Sequence, residues 1–238
     1  MELERLLRSQ GFGSRAECRA LICSGRVLAN GIACDDPYAE VEPETFRFTV
    51  DNIPWNYRKH AYIALHKPSD FECSHKPRFH PSVYTLLPRP LVTRGVQAIG
   101  RLDEDTTGLL LMSDDGQFIH QCTSPKKQVP KVYEVSTKHP IDDAQIGALH
   151  HGVLLNDEPA PIAAAACERV SDHLLRLTVT EGKYHQVKRM VAAASNRVVA
   201  LHRVAIGGFE LPENLKPGEW MWLEDADLEK LRAQSPAP

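Results

Sequence analysis

The stretch from Gly100 to Gly116, GRLDEDTTGLLLMSDDG, constrains the fold of this chain more than any other. Leu109, Leu110, Leu111 and Met112 form a continuous apolar run, bounded by Gly108 on one side and by Asp114, Asp115 and Gly116 on the other. A run this short between turn signals suits a strand buried on both faces. The polar residues ahead of it, Arg101, Asp103, Glu104, Asp105, Thr106 and Thr107, cannot all be buried without partners. Joined to a core strand, they cannot drift into solvent either, so the loop is able to aim a carboxylate. By themselves these residues allow a solvated turn whose Asp and Thr side chains cap backbone groups. They also allow an Asp103/Asp105 acid/base pair of glycosidase type, although a spacing of two along a loop reveals nothing about carboxyl separation.

The rest of the chain has the material to cover such a strand. With 238 residues, 42% hydrophobic and 25% charged, it can build one medium domain and a second small one. No apolar run approaches membrane-spanning length, and Glu2 and Glu4 with no apolar core behind them do not make a signal peptide, so no membrane association and a cytoplasmic location are expected. The cysteines at 18, 23, 34, 73, 122 and 167 include no Cys-x-x-Cys pair and no matching His spacing, which predicts reduced thiols and no zinc. The net charge of −3 hides segregation: residues 58–94 carry seven Lys/Arg against two Asp/Glu, residues 176–203 six against one, and residues 210–229 one against seven. Basic and acidic faces follow, and a basic face is compatible with nucleic acid.

Residues 1–52 read as a small separate module. Leu3, Leu6 and Leu7 give a helical stripe that Gly11-Phe12-Gly13 breaks, and Ser14 is a good N-cap for a second helix running to about Ser24. Asn30-Gly31 between short apolar runs predicts a type I′ hairpin, and Phe46, Phe48 and Val50 alternate as a third strand. GFGSRA does not open a dinucleotide site, because it follows a helix and not a strand. Within residues 1–30, five arginines face three glutamates. With SRAECRALICSGRVLANG at its centre, the segment resembles an S4-type RNA-binding domain, and the resemblance implies RNA contacts at Ser14, Arg15, Arg19 and Arg26. Residues 53–60, IPWNYRKH, show no clear period and contain proline, which predicts a linker.

Residues 61–238 form the larger predicted domain. Ala61 to Leu65 is a strand candidate ending at Lys67-Pro68, followed by a loop rich in His, Pro and basic residues from His75 to Pro90 that is either irregular surface or RNA-facing. A helix is expected from Asp115-Gly116 through Cys122, an alternating strand at Lys131-Val-Tyr-Glu-Val135, a helix over 141–151 and two strands between Ala164 and Thr180. Val187, Met190, Val191 and Ala194 then give a helical stripe whose first turns carry Lys188 and Arg189. Cations there oppose the macrodipole, so an anion is expected opposite them. The tail from Ala233 to Pro238 reads as disorder.

The central stretch, together with Lys67-Pro68, Lys131-x-Tyr133-x-Val135 and GKYHQVKRM from Gly182 to Met190, resembles the RsuA-type family of ribosomal RNA pseudouridine synthases. The resemblance covers nearly the whole chain and is nearer the small-subunit (16S) branch than the large-subunit (23S) ones. One departure is local: the family's first motif usually continues with a glycine where this chain has Ser69-Asp70-Phe71. The resemblance implies that Asp103 is the catalytic carboxylate, that Lys188 pairs with it, that Tyr133 and Val187 lie against the target base, and that Arg101 is the wedge filling the gap of a flipped nucleotide. A structural ion pair of Arg101 with Glu104 or Asp105 is the alternative for that residue. The fold implied is α+β: an S4-like domain, then a domain with an extended mixed, mainly antiparallel sheet and a central cleft. The activity implied is isomerisation of a uridine in ribosomal RNA, probed as an assembling small-subunit particle by a monomeric enzyme. That reaction changes no redox state, so no cofactor and no metal are expected, and the chain contains no P-loop, dinucleotide or metal-ligand pattern. The rival readings are a non-catalytic RNA-binding or ribosome-assembly protein and a hydrolase using Asp103 and Asp105.

Overall fold

The computed structural model describes residues 1–232, and the tail expected to be disordered, Ala233 to Pro238, lies outside the described residues. The chain divides into two compact units. The first comprises residues 1–61 together with 87–97. It holds α1 (Leu3–Ser9), α2 (Arg15–Cys23) and α3 (Arg89–Thr93). Its four-stranded sheet has the order β2-β1-β3-β4, from β1 (Val27–Ala29), β2 (Ile32–Ala33), β3 (Arg47–Val50) and β4 (Ile53–Asn56). Ser14 caps α2 reciprocally with Glu17, each side chain accepting the other's backbone amide. Asn30 and Gly31, at φ 50° and 80°, supply the two left-handed residues that a type I′ turn needs. Leu3, Leu6, Leu7 and Ile22 pack with Val27 and Phe48 into a core of their own.

The linker expected over residues 53–60 is corrected by this sheet. Ile53–Asn56 pairs along its whole length with Arg47–Val50, and the Trp55 ring meets Phe12 edge-on at 5.2 Å. Pro54 masked the strand in the sequence, yet β4 is an edge strand, where a missing amide donor is tolerated. The first unit therefore extends to about residue 61 and takes in a second piece of chain, in place of ending at residue 52.

The second unit comprises residues 62–86 and 98 onward. Its elements are β5 (Tyr62–Lys67), β6 (Gln97–Ile99), β7 (Thr107–Ser113), α4 (Gly116–Thr123), β8 (Lys131–Thr137), α5 (Asp143–His151), β9 (Ala166–Ser171), β10 (Leu174–Val179), α6 (Gln186–Ala193), β11 (Val198–Ile206), β12 (Phe209–Glu210), β13 (Trp220–Trp222) and α7 (Asp225–Arg232). Among the described residues, nine strands form one sheet with the path β13-β5-β7-β11-β8-β10-β9, to which β12 adds beside β11 and β6 beside β7. Along that path only β7 and β11 run parallel, which is the mixed, mainly antiparallel sheet that the family resemblance implied.

β7 lies near the centre and is buried on both faces, with Leu109, Leu110, Leu111 and Met112 all fully inaccessible. Each such side chain contributes about 1.5–3 kcal/mol, so the strand is among the best-anchored parts of the unit. Leu109 and Leu111 pack against Phe118 of α4 and Leu228 and Leu231 of α7. Gly108 begins this run at φ 104°, opposite Arg203 of β11, where a Cβ would sit 2.3 Å from the Arg203 carbonyl oxygen. Only glycine lets the two central strands approach so closely. The turn after Lys67-Pro68 forms without glycine because Asp70 itself adopts φ 63°. Among the described residues, no helix is long and apolar enough to cross a membrane.

Candidate active site

The polar loop ahead of β7 is tied down by an ammonium at the end of β5. Lys67 is fully buried, and its Nζ donates to the carbonyls of Pro68 at 3.0 Å, Glu104 at 2.9 Å and Thr106 at 2.8 Å. The Asp70 amide adds a fourth bond to the Glu104 carbonyl at 2.9 Å. Burial pushes the Lys67 ammonium below its ordinary value, against the pull of nearby acidic groups that include Asp105 and Asp103. The loop backbone is thus committed to Lys67, and its carboxylates remain available to another partner.

That partner comes from α6. Lys188 Nζ lies 3.1 Å from Asp103 Oδ2 and 2.6 Å from Asp105 Oδ1. The anion expected opposite the first turn of this helix is therefore a pair of carboxylates, of which Asp105 is the nearer. Burial alone would lower the Lys188 ammonium, but its hydrogen bonds to Asp105 and Asp103 outweigh that and leave it raised. Burial works upward on Asp105, yet the hydrogen bond from Lys188 prevails and holds its carboxyl below the usual value. Asp103 has a second neighbour in His185, whose Nε2 lies 3.3 Å from Oδ1. His185 caps α6 at φ 48°, a left-handed conformation that costs a non-glycine residue energy and turns the ring towards the carboxylate.

The opposite wall comes from the strands. Tyr133 on β8 is 8% exposed, and Arg203 stands directly across from it on β11. Arg203 is itself 1% exposed and donates to the Leu109 carbonyl at 2.8 Å, the Gly100 carbonyl at 2.8 Å and the Tyr133 hydroxyl at 3.3 Å. One buried guanidinium thus fixes the start of the loop, the strand that follows it and the tyrosine. These groups surround a cleft of about 920 Å³ that Arg101, Asp103, Tyr133, Val187 and Lys188 all line. Val187 is 5% exposed at the cleft, whereas Arg101 is exposed, and the ion pair considered for it with Glu104 or Asp105 does not form.

The residues singled out in the first unit have intramolecular tasks. Arg19 Nε lies 2.6 Å from Oε2 of the buried Glu4, and Arg15 Nε lies 3.3 Å from its other oxygen. Arg26 donates from Nε and a terminal nitrogen to both oxygens of Asp51, at 2.5 Å each, and these bonds hold the Asp51 carboxyl below its ordinary value. Ser14 is occupied as the cap of α2. Arg15, with a side chain 60% exposed, is the least committed of the four.

Lys67, His185 and Arg203 build the site without being among the site residues that the sequence indicates. For two of them a signal existed: Lys67 and Arg203 occupy buried positions of strands whose other buried residues are apolar, and a charge there needs a buried partner. Nothing in the sequence marks His185, because its role depends on a backbone conformation. Among the described residues, no group of three or more His, Cys, Asp or Glu is arranged to hold a metal.

Residues 61–193 match the model of the family described as RNA pseudouridylate synthase, and residues 1–46 match that of the S4 domain. The chain is 37% identical to an uncharacterized RNA pseudouridine synthase of Bacillus subtilis, over 97% of this chain and 98% of that protein. It is 35% identical to ribosomal small subunit pseudouridine synthase A of Haemophilus influenzae, over 97% and 99%, and 37% identical to the Escherichia coli protein of that name, over 96% and 98%. A crystal structure of a pseudouridylate synthase superposes with a TM-score of 0.69 at 34% identity, covering 97% of this chain and 99% of that one. A carboxylate held by a cation at the head of a central strand, with an S4 domain before it, is thus accompanied by likeness along nearly the full length, and the chain belongs to the RNA pseudouridylate synthase family.

Proposed function

We propose that this enzyme converts a uridine of small-subunit ribosomal RNA to pseudouridine, with Asp103 as the catalytic carboxylate. The observation that supports the assignment of Asp103 is its position between Lys188 at 3.1 Å and His185 at 3.3 Å inside the cleft, on a loop anchored to the most buried strand. The choice of RNA is supported by the relatives named ribosomal small subunit pseudouridine synthase A, matched almost end to end.

The reaction breaks the bond between C1′ of the ribose and N1 of the base and forms one between C1′ and C5. C5 gives up a proton and N1 gains one, so the product is an isomer and no electron acceptor is required. Lys188 sets an ammonium 3.1 Å from Asp103 in a cleft partly withdrawn from water, where the carboxylate serves as nucleophile or base. Tyr133 offers a flat ring to the base, its hydroxyl fixed by Arg203, and Val187 supplies an apolar edge. A stacked uridine must be extruded to reach such a cleft, and Arg101, exposed two residues before Asp103, is placed to fill the gap it leaves. The first unit adds affinity for the RNA backbone. The enzyme works as a monomer in the cytoplasm on an assembling small-subunit particle.

Mapping pseudouridine in ribosomal RNA from cells with and without the gene tests this reading. One small-subunit position should lose its modification and regain it when the purified chain is added back to the RNA or to particles assembled from it. Loss at a large-subunit position instead would reassign the substrate, and an unchanged map would overturn the proposal.

A further inference from the structure

Two cations border the cleft with only neutral acceptors to serve. Lys131 and Tyr133 share the buried face of β8, and Arg203 stands across from Tyr133 on β11. Lys131 is 7% exposed and Arg203 1%, and both line the cleft. Lys131 Nζ donates to the Val129 carbonyl at 2.8 Å and the Thr180 carbonyl at 3.4 Å, while Arg203 serves the Leu109 and Gly100 carbonyls and the Tyr133 hydroxyl. Among the described residues, neither forms an ion pair with Asp or Glu, and the carboxylates of Asp103 and Asp105 are already met by Lys188. The two cations also feel each other: after burial, the charge of Arg203 is what pushes the Lys131 ammonium down, to about 8. Two like charges buried as neighbours cost folding free energy, and neutral donors could hold the same carbonyls without that penalty.

We propose that Lys131 and Arg203 form a fixed positive field that stabilises the uracil anion after it leaves the ribose. When the C1′–N1 bond breaks, its electron pair goes with the base, and the detached uracil carries a negative charge spread over N1, O2 and O4. That charge is used up when C5 bonds to C1′, after which C5 releases a proton and N1 takes one up, so atoms and electrons balance without a further reactant. Both cations stand in place before the charge appears, in a cleft partly withdrawn from water, which is where preorganised charge lowers a barrier most. Tyr133 lies beside both of them, with the Arg203 guanidinium carbon 5.9 Å from its ring centre, so a base set against that ring comes within their field. This inference rests on the pseudouridine-forming reading of the cleft and adds to it the intermediate that the cleft holds.

The test centres on Lys131 in the full chain, because removing Arg203 would also unseat the loop. On small-subunit ribosomal RNA, Lys131→Met should lower kcat by roughly tenfold to a thousandfold, up to the range for one lost oxyanion donor, with KM little changed. Lys131→Arg, which keeps the charge, should recover much of that rate. Lys131→Gln, which can still donate to the Val129 carbonyl but carries no charge, should be as slow as the Met variant and guards against a defect that is only one of folding. A second readout needs no RNA: 5-nitrouracil ionises more readily than uracil and changes its absorbance as it does so. The wild-type chain should raise the ionised fraction of this probe at fixed pH, and Lys131→Gln should raise it less. Wild-type kcat in Lys131→Gln, a loss confined to KM, equal kcat losses in the Arg and Gln variants, or a probe titration that Lys131→Gln leaves as in wild type would each overturn the field. Failure of the wild-type chain to form pseudouridine on any ribosomal RNA, with the probe still shifted, would instead remove the reading beneath it and leave an anion site.

Discussion

Replacing Arg203 with Met removes the guanidinium that serves the Leu109 and Gly100 carbonyls and the Tyr133 hydroxyl. Leaving such groups unpartnered costs about 1–3 kcal/mol each, so the variant should unfold at distinctly lower urea, and whatever folds should turn over slowly because both the loop and Tyr133 are loosened. Arg203→Lys, which can serve only part of the fork, should fall between. At Lys188 the expectation concerns chemistry more than stability. Lys188→Met should reduce the rate by a hundredfold or more, and Arg should rescue part of it, whereas Asp105→Asn should be milder because Lys188 keeps Asp103. Equal damage from Asp103→Asn and Asp105→Asn, together with activity on substrates other than RNA, would favour the hydrolase reading. Lys131, beside Tyr133 in the cleft wall, is a pH probe: burial first, and then the charge of Arg203, push its ammonium down to about 8. Between that value and the unfolded one the unfolded chain holds a proton that the folded chain has released, so this residue makes stability rise with pH across the window. Urea midpoints at pH 7.5, 8.5 and 9.5 should show wild type gaining on Lys131→Met, by at most about 1.4 kcal/mol per pH unit. A pH-independent difference would mean that Lys131 titrates normally.

Elements explain what could and could not be read in advance. β7 was legible because four consecutive apolar residues between glycine and aspartate have few other uses, and α2, α4 and α6 were legible because caps and apolar spacing coincide in Ser14, Asp115 and Val187/Met190. β4 was not, since IPWN has neither alternation nor a β-branched run, and its pairing depends on β3 being beside it. An anion opposite Lys188 was legible through the macrodipole, and the resemblance named Asp103 as its partner, but the sharing between Asp103 and Asp105 was legible from neither, because the path of a loop is set by Lys67 from another strand. At this scale Gly108→Ala is the sharpest test of the central pairing: a Cβ against the Arg203 carbonyl at φ 104° should cost about 3 kcal/mol or more and lower the melting temperature by many degrees. A variant as stable as wild type would mean that β7 and β11 are not held at the described separation. In the first unit, Arg19→Ala should destabilise the fold by stripping the buried Glu4 of its nearest cation, so it is a poor probe of RNA binding.

For the whole molecule, the two units set how function can be dissected. Cutting at residue 52 would split a four-stranded sheet, and cutting at 61 would still leave residues 87–97, with the fully buried Leu91, parted from the unit they cluster with. Truncation should therefore yield a poorly soluble protein, and Arg15→Ala is the better probe of the S4 domain. It should weaken RNA binding and flatten its dependence on salt by about one ion, with the melting temperature lowered less than by Arg19→Ala because Arg15 is the more distant of the two cations on Glu4; an unaltered slope would place RNA elsewhere. The central claim is that Asp103 performs the chemistry of a chain otherwise built to hold it. Its most direct measurement is pseudouridine formation on small-subunit ribosomal RNA, or on particles assembled from it, by Asp103→Asn, with melting temperature and RNA affinity recorded on the same preparation. The account predicts no detectable product from a folded protein whose RNA binding is intact or tighter. Wild-type turnover by that variant would contradict it.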